Sequence, residues 1–211
     1  MPKNFDDMKF RQIYLYELWF LSQSIIKRCE KIFKEVPIPK VGYALGPGYE
    51  IHSEINCILS EAASIKKLIT PPQKKTKGLS QDKFQFQVDR CNYLKGKIKH
   101  IQISEINSVK VRNSLQHFDE YLDEAMVKIN GGKLAVHGMA LYNWVISDPA
   151  ATNVRPYPLR IYVGTEKKYY NMDVSIDLGK VYSEALEINK AIGDLFERDT
   201  GYTPGSLMLP L

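Results

Sequence analysis

Leu15, Leu18, Ser22, Ile25, Cys29, Ile32 and Val36 recur at spacings that alternate between three and four residues. That repeat brings side chains to one face of an α-helix. It predicts a first helix from about Asp6 to Glu35, stopped at Pro37 and Pro39, because proline cannot continue the hydrogen-bond ladder. Trp19, Ile26 and Phe33 widen the stripe, so this helix is expected to meet more than one neighbour. The glycine-rich run Gly42 to Gly48 reads as a loop. Ile51, Ile55, Ile58, Ala62, Ile65 and Ile69 predict a second helix from about Glu50 to Ile69. The segment 71–80, PPQKKTKGLS, ends it and has the composition of a mobile loop. A third helix is expected from about Gln81 to Ile103, with Phe84, Val88, Cys91, Leu94, Ile98 and Ile101 on its apolar face. A fourth starts near Ser104 or Asn107, both good capping residues, and carries Leu115, Phe118, Leu122, Ala125 and Ile129 as its seam. Asn130-Gly131-Gly132 stops it.

After Gly132 the period drops towards two. Met139 to Ser147 reads either as a strand or as the start of a buried helix. Leu159, Ile161 and Val163 alternate with Arg160 and Tyr162, and Tyr170, Met172, Val174 and Ile176 alternate with Asn171, Asp173 and Ser175. With a turn at Gly164 between them, the two runs predict a β-hairpin with one apolar face. Asp177 caps a last helix with Val181, Ala185, Ile188, Ile192 and Leu195 on its seam. The expected architecture is mainly α: a bundle of about five long helices with a small β-hairpin insertion before the last helix. One domain, 1–211, is expected, with the bundle at 1–130, loop and hairpin at 131–176, and 177–200 packing back as the final helix.

Composition adds limits. A chain of 211 residues, 44% hydrophobic and 25% charged, has the make-up of an ordinary globular domain. The opening MPKNFDDMKFRQ holds no apolar core of a secretory signal, and the run Ile13 to Ile26 is interrupted by Glu17, Ser22, Gln23 and Ser24. No membrane span is expected. Three widely spaced cysteines, Cys29, Cys57 and Cys91, argue against a disulfide framework and for buried thiols in a cytoplasmic protein. The net charge of +5 is concentrated: residues 66–110 carry eleven Lys or Arg against Asp82, Asp89 and Glu105, a local +8 that leaves −3 for the rest. Such a segment fits either a solvated lysine-rich surface or a polyanion partner. Under the second reading Lys95, Lys97 and Lys99 are the nucleic-acid-binding candidates.

The chain lacks a phosphate-binding P-loop, a dinucleotide-binding glycine fingerprint and a Gly-x-Ser-x-Gly elbow. It also lacks Cys-x-x-Cys and His-Glu-x-x-His, so no metal site and no cofactor are expected. His52 and His100 lie on expected helices without acidic or cysteine partners at ligand spacing, His137 sits in the glycine-flanked segment after the fourth helix, and each reads as a surface or satisfied core residue. Tyr157, Tyr162, Tyr169 and Tyr170 read either as a base-stacking surface or as the cover of a core or dimer contact. What remains is Arg112-Asn113-Ser114-Leu115-Gln116-His117. On a continuous helix Asn113 and His117 stand one turn apart, with Ser114 and Tyr121 beside them, on a polar face next to the apolar seam. A guanidinium grips phosphate oxygens, and an imidazole can move a proton near neutral pH. Together they could assist attack of a ribose 2′-hydroxyl on its neighbouring phosphate.

This run resembles the HEPN superfamily of helical-bundle proteins, whose motif is Arg, four to six residues, then His, often with Asn after the Arg. Arg112, Asn113 and His117 match it at the four-residue spacing. The resemblance implies a metal-independent RNA endonuclease or RNA-binding protein, in a defence or toxin–antitoxin setting. Arg112, Asn113 and His117 would be its catalytic residues. It further implies a homodimer in which two motifs meet, with RNA and an antitoxin or other protein as partners. The alternative is a non-catalytic dimeric interaction module on the same scaffold.

Overall fold

A computed structural model describes residues 11–136, 138–201 and 204–205. In chain order the elements are α1 (Arg11–Glu35), β1 (Leu45–Pro47), α2 (Tyr49–Ile69), α3 (Gln81–Lys97), α4 (Lys110–Gln116), α5 (Phe118–Asn130), β2 (Ala140–Ile146), β3 (Tyr157–Val163), β4 (Lys168–Asn171), β5 (Val174–Asp177) and α6 (Leu178–Thr200). The first, second and last helices follow their apolar seams, and the seam residues of α1 and α2 are all buried.

The expectation of a mainly α bundle of about five long helices with a small hairpin insertion is wrong. The described residues form six helices and a five-stranded mixed sheet in the order β1-β2-β3-β4-β5, an α+β arrangement. Three local features escaped the periodicity. The glycine-rich run that reads as a loop contains β1, which pairs antiparallel with β2. Three residues are too few to show a period, and the pairing depends on a missing side chain. A Cβ on Gly48 would lie 2.3 Å from Val145 Cγ2. For 139–147 the strand alternative is the right one, as β2, and what escaped is its parallel pairing with β3 after a ten-residue connection, Ser147 to Pro156. The expected hairpin folds once more: Met172, at φ 53, and Asp173 turn the chain between β4 and β5. The sheet therefore buries side chains on both faces rather than one. Tyr162, Tyr169 and Ile176 are successive cross-strand neighbours and all are buried. Ile161 and Val163, of the other parity on β3, join Leu141 and Ile146 in a separate small core.

The third and fourth helices are also shorter than expected. α3 ends at Lys97, and Ile98 and Ile101 are buried in the turns that follow. The fourth is broken at His117 into α4 and α5.

The chain divides into two compact units, Met1–Ile26 with Glu61–Asn107 and Ser183–Leu211, and Lys27–Ser60 with Ser108–Tyr182. In the first, the Glu184 carboxylate, nearly buried, accepts from Ser104 Oγ (3.0 Å), Glu105 N (2.9 Å) and Ile106 N (2.8 Å). It thereby fixes the irregular segment that follows α3. Asn189 Nδ2 donates to Trp19 O at 3.1 Å and Ser22 Oγ at 3.2 Å, which explains why a serine can sit fully buried in the α1 seam. The second unit holds the whole sheet. Here α4 packs on β4 and β5, and Asn171 Nδ2 donates to Ser114 Oγ at 2.9 Å. Among the described residues no helix is long and apolar enough to cross a membrane.

Candidate functional site

The Arg-Asn-x-x-x-His run lies in the second unit, at the joint between α4 and α5. His117 is the joint itself. Its φ of −112° and ψ of 43° end one helix and begin the next. The main-chain thread still holds across the break, because His117 N donates to Asn113 O (2.9 Å) and Tyr121 N donates to His117 O (3.1 Å). The break changes which side chains face out. Val111 and Ser114 are the buried residues of α4. Ser114 Oγ donates to Val111 O and receives Asn171, so it anchors the helix to the sheet and does not stand on a polar face with His117. Leu115, Phe118 and Leu122 are only half-buried.

His117 is open to solvent, with 55% of its side chain exposed, and its Nδ1 lies 3.4 Å from Glu120 Oε1 one turn into α5. That distance is long for a hydrogen bond, but it places a carboxylate on the Nδ1 side of the ring. Asn113 and Arg112 are half-buried. The Arg112 Nε is enclosed and has no hydrogen-bond partner, and among the described residues its guanidinium forms no ion pair. The structure thus joins Asn113 and His117 through the backbone and shows no bond between the Arg112 side chain and either.

Lys95, Lys97 and Lys99 belong to the other compact unit, at and just beyond the end of α3. All three are exposed, and Lys97 Nζ sits 4.7 Å from the centre of the Tyr93 ring. Of the remaining histidines, His100 is exposed, and His137 lies outside the described residues. Tyr162 and Tyr169 are buried and serve the core, whereas Tyr157 and Tyr170 are half-buried.

A second cluster in the same unit as His117 was not legible in the sequence. The parallel β2/β3 register passes from Tyr142↔Leu159 to Trp144↔Ile161 and skips one residue on each strand. The skipped residues, Asn143 and Arg160, both have left-handed backbones, at φ 58 and φ 66. Asn accepts such angles more readily than most residues, whereas an arginine there is uncommon. Arg160 extends over the Phe118 ring, its guanidinium carbon 4.2 Å from the ring centre, and lies 5.7 Å from the centre of Tyr142. Its Nε is enclosed without a partner, and its guanidinium has no hydrogen bond or ion pair among the described residues.

Next to it, His52 on α2 is only 7% exposed and stands edge-on to Tyr169, 5.7 Å between ring centres. Neither ring nitrogen completes a hydrogen bond, although the Asn143 main chain comes near. Burial holds its pKa below the ordinary histidine value, and the Arg160 charge lowers it further against the pull of the Asn143 main chain. The expectation of a satisfied core histidine is therefore half right: it is in the core and is not satisfied. Burial likewise raises the Tyr169 hydroxyl, and Arg160 opposes that shift. Only the position of His52 beside the α2 seam hinted at this. Nothing in the pattern marks Arg160, which occupies an ordinary outward position of an alternating strand.

Beyond these clusters, Ile161, Val163, Tyr157, Tyr170 and Glu166 line part of an open groove of about 1120 Å³. The Tyr170 hydroxyl donates to Glu166, and burial together with that carboxylate pushes its pKa to about 12. Among the described residues no three of His, Cys, Asp and Glu come together as a metal-binding set. Compared with known proteins, the chain matches no family model, no curated protein and no solved structure.

Proposed function

We propose that the protein binds RNA and cleaves it by metal-independent transesterification, with Arg112, Asn113 and His117 as the working residues. The observation that carries the reading is the placement of His117. It is a solvent-open imidazole at a helix joint, with a carboxylate on its Nδ1 side and no other polar partner among the described residues. A general base must reach its substrate from outside, and this geometry leaves Nε2 for that contact. In the proposed reaction His117 takes the proton of a ribose 2′-hydroxyl, the 2′-oxygen bonds to the adjacent phosphorus, and the bond from phosphorus to the 5′-oxygen breaks. The departing oxygen gains a proton from solvent, and a 2′,3′-cyclic phosphate remains. Arg112, which has no ion pair of its own among the described residues, balances the charge that builds on the phosphate oxygens. Lys95, Lys97 and Lys99 add exposed positive charge that attracts the strand. The motif and its chemistry are in the manner of the HEPN superfamily, whereas the α+β fold that carries them differs from that family's helical bundle. A homodimer, and a defence or toxin–antitoxin setting with an antitoxin partner, come with the resemblance.

A second reading has its own observation. Met126 and Val127 are exposed on α5, Val127 to 72%. Such a surface suits a non-catalytic dimeric module. One experiment separates the two. Wild-type and His117→Ala proteins are incubated with several structured and unstructured RNAs in EDTA, and the product ends are read by mass spectrometry. Cyclic phosphate ends from wild type alone support cleavage, and intact RNA throughout favours the interaction module.

A further inference from the structure

We infer that Arg160 is an anion-binding residue that holds an RNA phosphate next to the His117 joint, with a base laid on Tyr142. The inference rests on the proposed RNA function, but its central measurement is binding alone.

The first reason is an unbalanced charge. Arginine fully withdrawn from water is nearly always paired, and even partial burial costs a charge some of its hydration. Arg160 is half-buried, its Nε is enclosed, and its guanidinium has neither a hydrogen bond nor an ion pair among the described residues. Asp119 and Glu120 follow Phe118 directly, yet neither pairs with it, and Glu120 turns to His117 instead. The titratable side chains facing it are His52, Tyr169 and Tyr142, none of them an acid, and the shifts of His52 and Tyr169 favour the neutral form. They add no negative charge to offset the cation.

The second reason is how it is held. Phe118 and Tyr142 lie within cation–π range of the guanidinium and 6.2 Å from each other. Contacts of this kind fix the position of the cation without using its N–H donors. A fixed fork with unused donors suits a phosphate oxygen pair. The third reason is the backbone. Arg160 and Asn143 stand opposite each other in left-handed conformations, which bulky L-residues rarely adopt. If Arg160 only filled space, glycine would relieve that strain.

The location gives the ligand its class. The ring under Arg160 belongs to Phe118, the residue directly after His117, so the guanidinium lies against the same stretch of chain that carries the proposed base. Tyr142 is 51% exposed and tilted at 44° to Phe118, and an exposed aromatic ring is a surface on which a nucleobase can stack. A phosphate beside an accessible aromatic ring is the chemistry of a single-stranded nucleic acid.

The test is fluorescence anisotropy of the full chain with a labelled 2′-O-methyl RNA oligonucleotide, which the proposed reaction cannot cut. Arg160→Gln should weaken binding roughly tenfold at about 100 mM salt and lower the slope of log K against log salt by about 0.7, the share of one phosphate on a single strand. Arg160→Lys should keep the slope while recovering only part of the affinity, because the charge stays and the planar fork is lost. Tyr142→Ala should weaken binding roughly tenfold with the slope unchanged. Circular dichroism confirms folding, and if Arg160→Gln does not fold, Arg160→Lys and Tyr142→Ala decide. Wild type that fails to bind the probe, or Arg160 variants that bind as wild type does, overturns the inference. Cleavage of ordinary RNA that is lost in His117→Ala, alongside normal probe binding by Arg160→Gln, overturns the inference and leaves the proposed function standing. Arg160-dependent binding without any cleavage does the reverse.

Discussion

His52 should make the protein sensitive to mild acid, and replacing it should remove that sensitivity. Its folded-state pKa is lowered, chiefly by burial, so the imidazole stays neutral in the native state while the unfolded chain takes up a proton near its ordinary value of about 6.5. Where the unfolded state binds more protons, stability falls as pH falls. The stability is therefore complete above about pH 6.5 and drains as pH drops from there towards the lower folded-state value. If the buried ring stays neutral throughout, the loss between about pH 7.5 and pH 5.5 approaches 1.4 kcal/mol, one proton across one effective pH unit. The two unpartnered ring nitrogens set the second part of the expectation. Each buried polar atom left unpaired costs about 1–3 kcal/mol, so His52→Leu, close in volume, should be at least as stable as wild type at neutral pH. Urea unfolding of both proteins across this pH range isolates the effect, because every other titrating group is common to the two. A variant with the same pH slope as wild type, or one destabilised by more than about 2 kcal/mol at neutral pH, would refute the picture of a neutral, unsatisfied imidazole.

Three further outcomes are expected. His117→Ala should lower RNA cleavage by about 10²–10⁴-fold, and should change unfolding free energy by no more than about 0.5 kcal/mol because the side chain is exposed. Gel assays and denaturant melts on the same preparation check both. Glu184→Ala should cost about 3 kcal/mol, since it strands the Glu105 and Ile106 N–H groups that the nearly buried carboxylate now receives; a loss below about 1 kcal/mol in urea unfolding would mean that water replaces it. Sedimentation at micromolar concentration should show a dimer that Val127→Glu weakens, because that exposed apolar residue lies on the helix that follows the His117 joint.

The first, second and last helices were readable because long apolar seams repeat often enough to outvote local accidents. The α1 and α2 seams, 15–36 and 51–69, are buried at every position named. The sheet was only partly readable, for reasons that differ strand by strand. β1 is three residues long and is defined by a partner about a hundred residues away, so it has no period of its own. β2 and β3 each carry a left-handed residue, and that interruption shifts inward- and outward-facing positions halfway along the strand. Leu141 and Ile146, of opposite parity, consequently share one core. The Arg112–His117 run could be found by spacing alone, but the break at His117 could not, since no glycine or proline marks it. Ser114 shows the cost: the helical wheel puts it beside the imidazole, and the structure puts it under Asn171. Arg160 gave no signal because what sets it apart is the absence of an ion-pair partner among the described residues, and pairing is a three-dimensional property.

The division of the chain has a consequence for how it must be made. One compact unit takes three separate stretches of sequence and the other takes two, with α1, α2 and α6 contributing residues to both. No single cut therefore releases either unit whole. On a ribosome, β1 emerges long before β2, the strand it pairs with, and the Glu184 carboxylate appears long after Ser104, Glu105 and Ile106, which it holds. Closing such distant pairs is slow compared with forming local helices. During synthesis the early helices must wait with their apolar seams uncovered, which makes the nascent chain, rather than the finished protein, the form most exposed to aggregation and to chaperones.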